Sequence, residues 1–340
     1  MADMTVERAA PVAASDARSG GGRGLMMAAL RKWSTIVAML IVCAGLSLAT
    51  PYFLTASNVT NVIFTMVTSA LVSLGLTYVV IAGSFDLSIG LIVTTTSIVT
   101  AMTMPAIGPV AGSVLALAVG CVVGVFNGVL VTYGRLSGIV VTLGTMFVLG
   151  GINNYLTHGY QIAVSGDQTA FLFLGQGTVA DIPIPDLLLI GVFLVAHVFV
   201  TKTKVGHYIS AVGDNPMAAY YSGIKVYRWV IISFVLSGLL CAVGGIVETS
   251  ISSSAQPVGG EGYLLEAFAA VFLGATVFGR GKPHLFGTLV SALFLNFVTA
   301  GMNMIGAPFA LHQLIEGGVL ILAVGANAML NREELHMRFI

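Results

Sequence analysis

A single aspartate, Asp86, sits in the stretch AGSFDLSIG (Ala82 to Gly90), between an apolar run from Val59 to Ile81 and the run LIVTTTSIVTAMTM, neither of which carries another charge. A carboxylate flanked by Gly83, Ser84, Ser88 and Gly90 has two uses. It can accept amide protons and cap the helix that follows. It can also mark a broken helix, with glycines permitting irregular backbone where it borders a polar path. The sequence leaves both open. His312 and Glu316 stand i, i+4 on one helical face, a pair able to carry a proton. Asn127, Asn303 and Gln313 supply neutral groups that pair with hydroxyls, and with Asp86 they are the candidates for lining a path. Asn153, Asn154 and Asn296 could join them, although an interhelical hydrogen bond also explains any single Asn in an apolar helix. Glu248 and Glu266 read as exposed residues near helix ends.

Other chemistry is excluded. A phosphate-cradling loop needs Lys and Ser/Thr after its second glycine; the nearest approach, Gly274 to Gly279, is followed by Arg280 and Gly281, so this chain cannot hydrolyse ATP that way. Cys43, Cys121 and Cys241 all fall in apolar runs. They read as small packed hydrophobes, with neither a disulfide framework nor a metal site. No catalytic residue, metal or cofactor is expected in the chain.

The elements that must position these residues follow from composition. The chain has 340 residues, 57% of them hydrophobic and 8% charged, with zero net charge. Soluble domains carry about 25% charged residues, so this is an all-α protein of many membrane spans. No basic run offers itself to nucleic acid. A span needs about 20 apolar residues, and ten are expected, at 33–53, 59–82, 87–105, 109–133, 138–157, 184–201, 229–250, 264–279, 285–305 and 308–329. The second and third share the Asp86 junction, and the eighth is short. Residues 1–32 form a polar cytoplasmic tail, 33–330 one membrane domain and 331–340 a second tail. With a cytoplasmic N-terminus every Lys and Arg falls on the inner side: Arg8 to Lys32, Arg135, Lys202, Lys204, Lys225, Arg228, Arg280, Lys282, Arg332 and Arg338. The outer loops carry Asp167, Asp181, Asp186 and Glu261 and no basic residue. That asymmetry is what the positive-inside rule requires. Glycines spaced for close helix approach occur at Gly120, Gly124 and Gly128, and pairs at Gly244–Gly245 and Gly317–Gly318 fall within spans.

Two loops are long enough to do more than turn. The outer loop 158–183 could receive another protein. The inner loop 202–228 contains Asn215-Pro216-Met-Ala-Ala-Tyr-Tyr-Ser-Gly223, a short helix in outline. Asn215 or Asp214 suits the cap, Pro216 the first helical position and Gly223 the terminus. So short a helix holds only against other parts of the fold or a partner.

VGHYISAVGDNPMAAYYSGIKV resembles the cytoplasmic loop of the permeases of ATP-binding-cassette sugar importers of the ribose, xylose, arabinose and galactose type, related to the branched-chain amino-acid permeases. SSAQPVGGEGYLLEAFAAVFLGATVFGRGKPHLFG and AGSFDLSIG resemble further signatures of that family. Ser84 stands where the family has glycine, and Phe85 is bulkier than its usual aliphatic. The resemblance implies an all-helical permease in a bacterial inner membrane. It implies pairing with a second copy or a paralogue, two ATPase subunits that hold ATP and Mg, and a periplasmic substrate-binding protein. It places Gly213, Asn215, Ala218, Ala219 and Gly223 in the ATPase-coupling helix, and makes the cargo a sugar or polyol. A self-sufficient proton-coupled carrier using Asp86 or His312 and Glu316 is the rival reading, but it has no need of a capped docking helix.

Overall fold

The computed structural model describes residues 36–37, 39–164, 168–277 and 281–330. The leader 1–32, the tail 331–340, Asp167 and Arg280 lie outside the described residues.

Hydrocarbon offers no water to peptide groups, so an apolar chain closes its backbone hydrogen bonds within helices. These are α1 (Met39–Ala49), α2 (Ala56–Thr65), α3 (Val67–Ile81), α4 (Ile89–Ile107), α5 (Pro109–Thr132), α6 (Gly138–Thr157) and α7 (Thr169–Gln176). There follow α8 (Ile184–Lys202), α9 (Lys204–Asp214), α10 (Pro216–Tyr221), α11 (Val226–Ser252), α12 (Tyr263–Thr276), α13 (Leu285–Met304) and α14 (Phe309–Leu330). Two-residue strands make two antiparallel pairs. β1 (Ile162–Ala163) pairs with β4 (Ser254–Ala255), and β2 (Thr178–Val179) with β3 (Ile182–Pro183).

Among the described residues, six helices are long and apolar enough to cross a membrane, namely α4, α5, α6, α8, α11 and α13. The pair α2 and α3, bent by 48°, adds a seventh if taken as one span. Helices also occupy the remaining expected spans, but α1, α12 and the apolar part of α14 (Ala310–Gly325) are shorter. With 14 residues, α12 extends about 21 Å, against roughly 30 Å of hydrocarbon.

α3, α4 and α11 form the centre. Leu71, Leu74 and Tyr78 of α3 pack with Val247 of α11, Ala270 of α12 and Leu295 of α13. Ile92 and Val93 of α4 pack with Cys241 of α11 and Val271 of α12. The hydroxyls inside this core are satisfied locally: Ser73 Oγ donates to Ser69 O, Thr77 Oγ1 to Ser73 O and Thr95 Oγ1 to Leu91 O, each at 2.7 Å. The outward faces of α5, α6 and α8 are apolar and exposed, with Val122, Phe126, Phe147, Val148 and Val195 on them. Such faces suit lipid, not water.

The α5 glycines meet α11 as their spacing predicts. Gly120 lies against Gly238 and Gly128 against Ile231, and a β-carbon on Gly124 would stand 2.8 Å from Val235 Cα. Gly124→Leu is therefore expected to force α5 away from α11 and to destabilise the fold by about 1–3 kcal/mol or more. A thermal melt in detergent checks this; an unchanged melting temperature would mean that the interface is loose. Gly245 packs on Thr96 and Val93 of α4, but Gly317 and Gly318 differ from expectation. No atom lies within 4 Å of where their β-carbons would stand, so this pair mediates no contact among the described residues.

Contacts sort the loops to two ends of the bundle. At one end Gly213 abuts Ile81, Gly138 abuts Ser84, and Lys282 Nζ donates to Asp214 at 2.8 Å. At the other, β1 pairs with β4, and Gly175 abuts Ser250.

Candidate functional site

Among the described residues, two breaks in the helical path border α4: one precedes it, and the other reaches Gly90 in its first turn. The first runs from Ala82 to Ser88, between α3 and α4. Gly83 turns the chain at φ +80°, a conformation that costs a residue with a β-carbon. Asp86 is wholly buried. Its Oδ1 accepts from the Ser88 amide at 2.9 Å and the Ser88 hydroxyl at 2.6 Å, and Ser237 Oγ stands 3.5 Å from Oδ2. The hydroxyl of Ser88 in turn accepts from Asn127 Nδ2 at 2.9 Å, and Asn127 Oδ1 accepts from Thr145 Oγ1 at 2.6 Å. Every donor in the relay from α6 through α5 to the break points toward the carboxylate, an arrangement in which each bond polarises the next. Leu87 N is held by Thr142 Oγ1 at 3.0 Å. Asp86 accordingly fixes the backbone just before α4, whose N-cap is Ser88, and is also the hub of a buried network. Ser237 lies eleven residues into α11, about 16 Å from its start. The carboxylate is thus deeper in the bundle than a loop junction would put it.

Phe85 stacks over Phe268 and Phe272 of α12, with ring centroids 6.3 Å away in both cases. α12 is the helix that follows the second break, Ser253 to Gly262. This segment leaves α11 at Ser253, in the left-handed region at φ +54°, and dips inward until Gly260 meets Gly90 at the start of α4. A β-carbon on either glycine would strike the other's carbonyl oxygen. Gly260 N donates to Thr94 Oγ1 at 2.9 Å. Irregular backbone at this depth is tolerated where it is buried in protein or lines a cavity. Here it does both. A cavity of about 280 Å³ lies beside it, walled by Thr94 and Ser97 of α4, Glu248 and Ser252 of α11, and Ser254 and Gln256 of the break.

Two expectations change at this point. Glu248 and Glu266 are not exposed surface groups. Glu248 Oε2 accepts from Thr68 Oγ1 of α3 and from the Tyr263 hydroxyl, both at 2.9 Å, and Glu266 accepts from Asn296 Nδ2. The lone-Asn reading holds where the partners are visible: Asn296 also reaches Ser69 Oγ at 3.2 Å, and Asn153 Oδ1 accepts from Thr95 Oγ1 at 2.9 Å. Of the four path candidates, Asp86 and Asn127 come together in one network. Asn303, near the end of α13, and Gln313, near the start of α14, are exposed, and none of the four lines the cavity. His312 is buried and Glu316 partly so. The cavity itself went unread in the sequence. Its signal was the pair of weak spans, one interrupted at Asp86 and one short after SSAQPVGGEG, since Gly/Pro-broken segments in both halves of a transporter point to its binding site.

The loop between α8 and α11 packs beneath the first break. Thr203 caps α9, accepting from Gly206 N. Gly213 belongs to α9, not to the short helix, and sits so tightly on the Ile81 carbonyl and Ala82 that a β-carbon has no room. Asn215 caps α10 by accepting from Ala218 N at 3.0 Å, Pro216 takes the first position, and Gly223 leaves at φ +80°. Ala219 is only 4% exposed and faces the protein, so it offers no outward docking surface. Met217, Tyr220 and Tyr221 face outward instead, with the two tyrosines 65% and 79% exposed. Gly274, the first glycine of the phosphate-loop near miss, lies within α12 against Gly287 of α13; Gly279 lies outside the described residues.

A family model described as branched-chain amino acid transport system / permease component matches residues 58–324. The ribose import permease protein RbsC of Escherichia coli is 34% identical over 307 residues, covering 89% of this chain and 96% of the relative. RbsC of Bacillus subtilis is 33% identical over 296 residues, 87% of this chain and 92% of the relative. The D-allose transport system permease protein AlsC of Escherichia coli is 29% identical over 302 residues, 87% and 91% of the two chains.

Proposed function

Since the chain belongs to the branched-chain amino acid transport system / permease component family, we infer that it is the permease subunit of an ATP-driven importer that passes a sugar or sugar-like polyol across a bacterial inner membrane. The observation that carries this reading is α10, a capped and outward-facing helix connected through Gly213 to the buried break at Asp86. ATP binding and hydrolysis in separate subunits would press on Met217, Tyr220 and Tyr221. The motion would pass through α9 to the α3–α4 break. The chain performs no covalent chemistry. It pairs with a second copy or a paralogue, and a periplasmic binding protein delivers cargo to the end that bears β1 and β4.

In this reading the chain spans the membrane ten times, with both termini inside. The basic residues and the sorting of loops to two ends of the bundle support that topology. Asp86 and Asn127 serve as the pivot of the path, with Asn303 and Gln313 at its margins.

The test is co-purification of the tagged chain with its genomic neighbours. Wild type is expected to bring a P-loop ATPase with it. The double variant Tyr220→Glu/Tyr221→Glu is expected to lose the ATPase while keeping its melting temperature. Exposed aromatic anchors contribute about 2 kcal/mol each to an interface, so losing both should weaken binding by roughly several hundred-fold. If no ATPase associates and the chain alone moves solute down a proton gradient, the carrier reading replaces this one.

A further inference from the structure

The cavity beside the second break carries a statement about cargo chemistry that the permease reading does not contain, although it rests on it. Its polar wall is four hydroxyls, Thr94, Ser97, Ser252 and Ser254, one amide, Gln256, and one carboxylate, Glu248, with no Lys, Arg or His among the lining residues. Thr68 and Tyr263 both donate to the same oxygen of Glu248, Oε2. Oε1 has no protein donor among the described residues. A fixed carboxylate with one oxygen anchored and the other free is an acceptor prepared for a hydroxyl from outside the protein. The volume, about 280 Å³, equals roughly nine water volumes at about 30 Å³ each. That is the scale of one monosaccharide, not of an oligosaccharide.

We propose that this cavity is a cargo subsite for a single polyhydroxylated solute without negative charge, and that Glu248 Oε1 accepts one of its hydroxyls. A phosphorylated or carboxylated sugar would be placed beside a carboxylate with no cation to offset it, and is excluded. Thr68 and Tyr263 are positioning residues, because they aim the carboxylate without facing the cavity wall.

The experiment is ATP-dependent uptake by proteoliposomes holding the full permease with its ATPase and binding protein, using radiolabelled D-ribose, D-allose, L-arabinose and D-glucuronate. Wild type is expected to take up at least one neutral sugar and no glucuronate. Glu248→Gln turns the amide to Thr68 and Tyr263 through its oxygen and presents N–H groups to the cavity. Its maximal rate is expected to fall by about tenfold or more, while the half-saturating sugar concentration, set by the delivering protein, stays put. Gln256→Trp, a change at an exposed rim position, fills the cavity without touching Glu248 and is expected to block uptake as well; it decides the matter if Glu248→Gln fails to assemble. Wild-type rates in both variants, or glucuronate uptake as fast as that of the neutral sugar, would overturn the proposal while the importer reading stands. An assembled complex that hydrolyses ATP and takes up none of the neutral sugars would remove the sugar reading on which the proposal rests.

Discussion

Gly213→Ala is expected to uncouple the protein while leaving it in the membrane. The added methyl group collides with the Ile81 carbonyl and with Ala82. These are backbone atoms at the end of a fully packed helix and cannot rotate aside. α9 must lift, which costs about 1–3 kcal/mol for overpacking of this kind. α10 lies beyond the collision, held by its own Asn215 cap, so its exposed tyrosines keep their shape. Binding of the ATPase should survive, and transport should fall by about tenfold or more, because the close backbone contact of Gly213 with the end of α3 has been opened. Measuring ATPase retention and uptake in the same preparation separates the two effects. Retained uptake with a normal melting temperature would show that the motion travels by another route. Ala219→Glu, by contrast, would bury a charge beneath α10 and unfold it locally.

The Asp86 variants should divide structure from transport. Asp86→Ala removes the acceptor of the Ser88 amide and hydroxyl in a site closed to water. Hydrogen bonds to a charged group contribute about 1.5–3 kcal/mol each, so a loss of roughly 3 kcal/mol or more is expected, visible as a lowered melting temperature. Asp86→Asn keeps an oxygen for both Ser88 bonds, and Ser237 can turn to accept from its amide. Removing a buried charge that no Lys or Arg offsets among the described residues often leaves stability unchanged or raised, so this variant should melt at or above the wild-type temperature. Transport should nevertheless drop by about tenfold or more, because the relay from Thr145 through Asn127 and Ser88 no longer ends on a carboxyl group. A stable Asp86→Asn protein with wild-type uptake would reduce the aspartate to a fastening of the backbone.

The parts of this architecture that depend on local rules could be read directly. Apolar run length marked the spans, and Asn215, Pro216 and Gly223 wrote out a short helix residue by residue. Gly120, Gly124 and Gly128 announced their contact because the helix period alone brings them to one face. What depends on pairings across the chain was not legible. Glu248 looked like a surface residue because its partner Thr68 is 180 positions away. Gly90 and Gly260 each look like ordinary loop or helix-end glycines until the fold presses one against the other. The outward direction of Tyr220 and the inward direction of Ala219 likewise follow from where α9 is anchored, which no property of the loop's own residues sets.

The β1–β4 ladder is small, but Ser254, which lines the cavity, is one of its four residues. At the same end of the bundle Gln176 Nε2 reaches Ser253 Oγ at 2.7 Å and Ile251 O at 3.2 Å, and Ser250 Oγ donates to Phe171 O at 2.6 Å. The surface that would greet a delivery protein and the wall that would touch the cargo are therefore stitched into one fabric. Neither can drift in sequence without straining the other, so a lineage acquiring a new delivery partner must retune residues 158–177 and 250–256 as a single inherited unit.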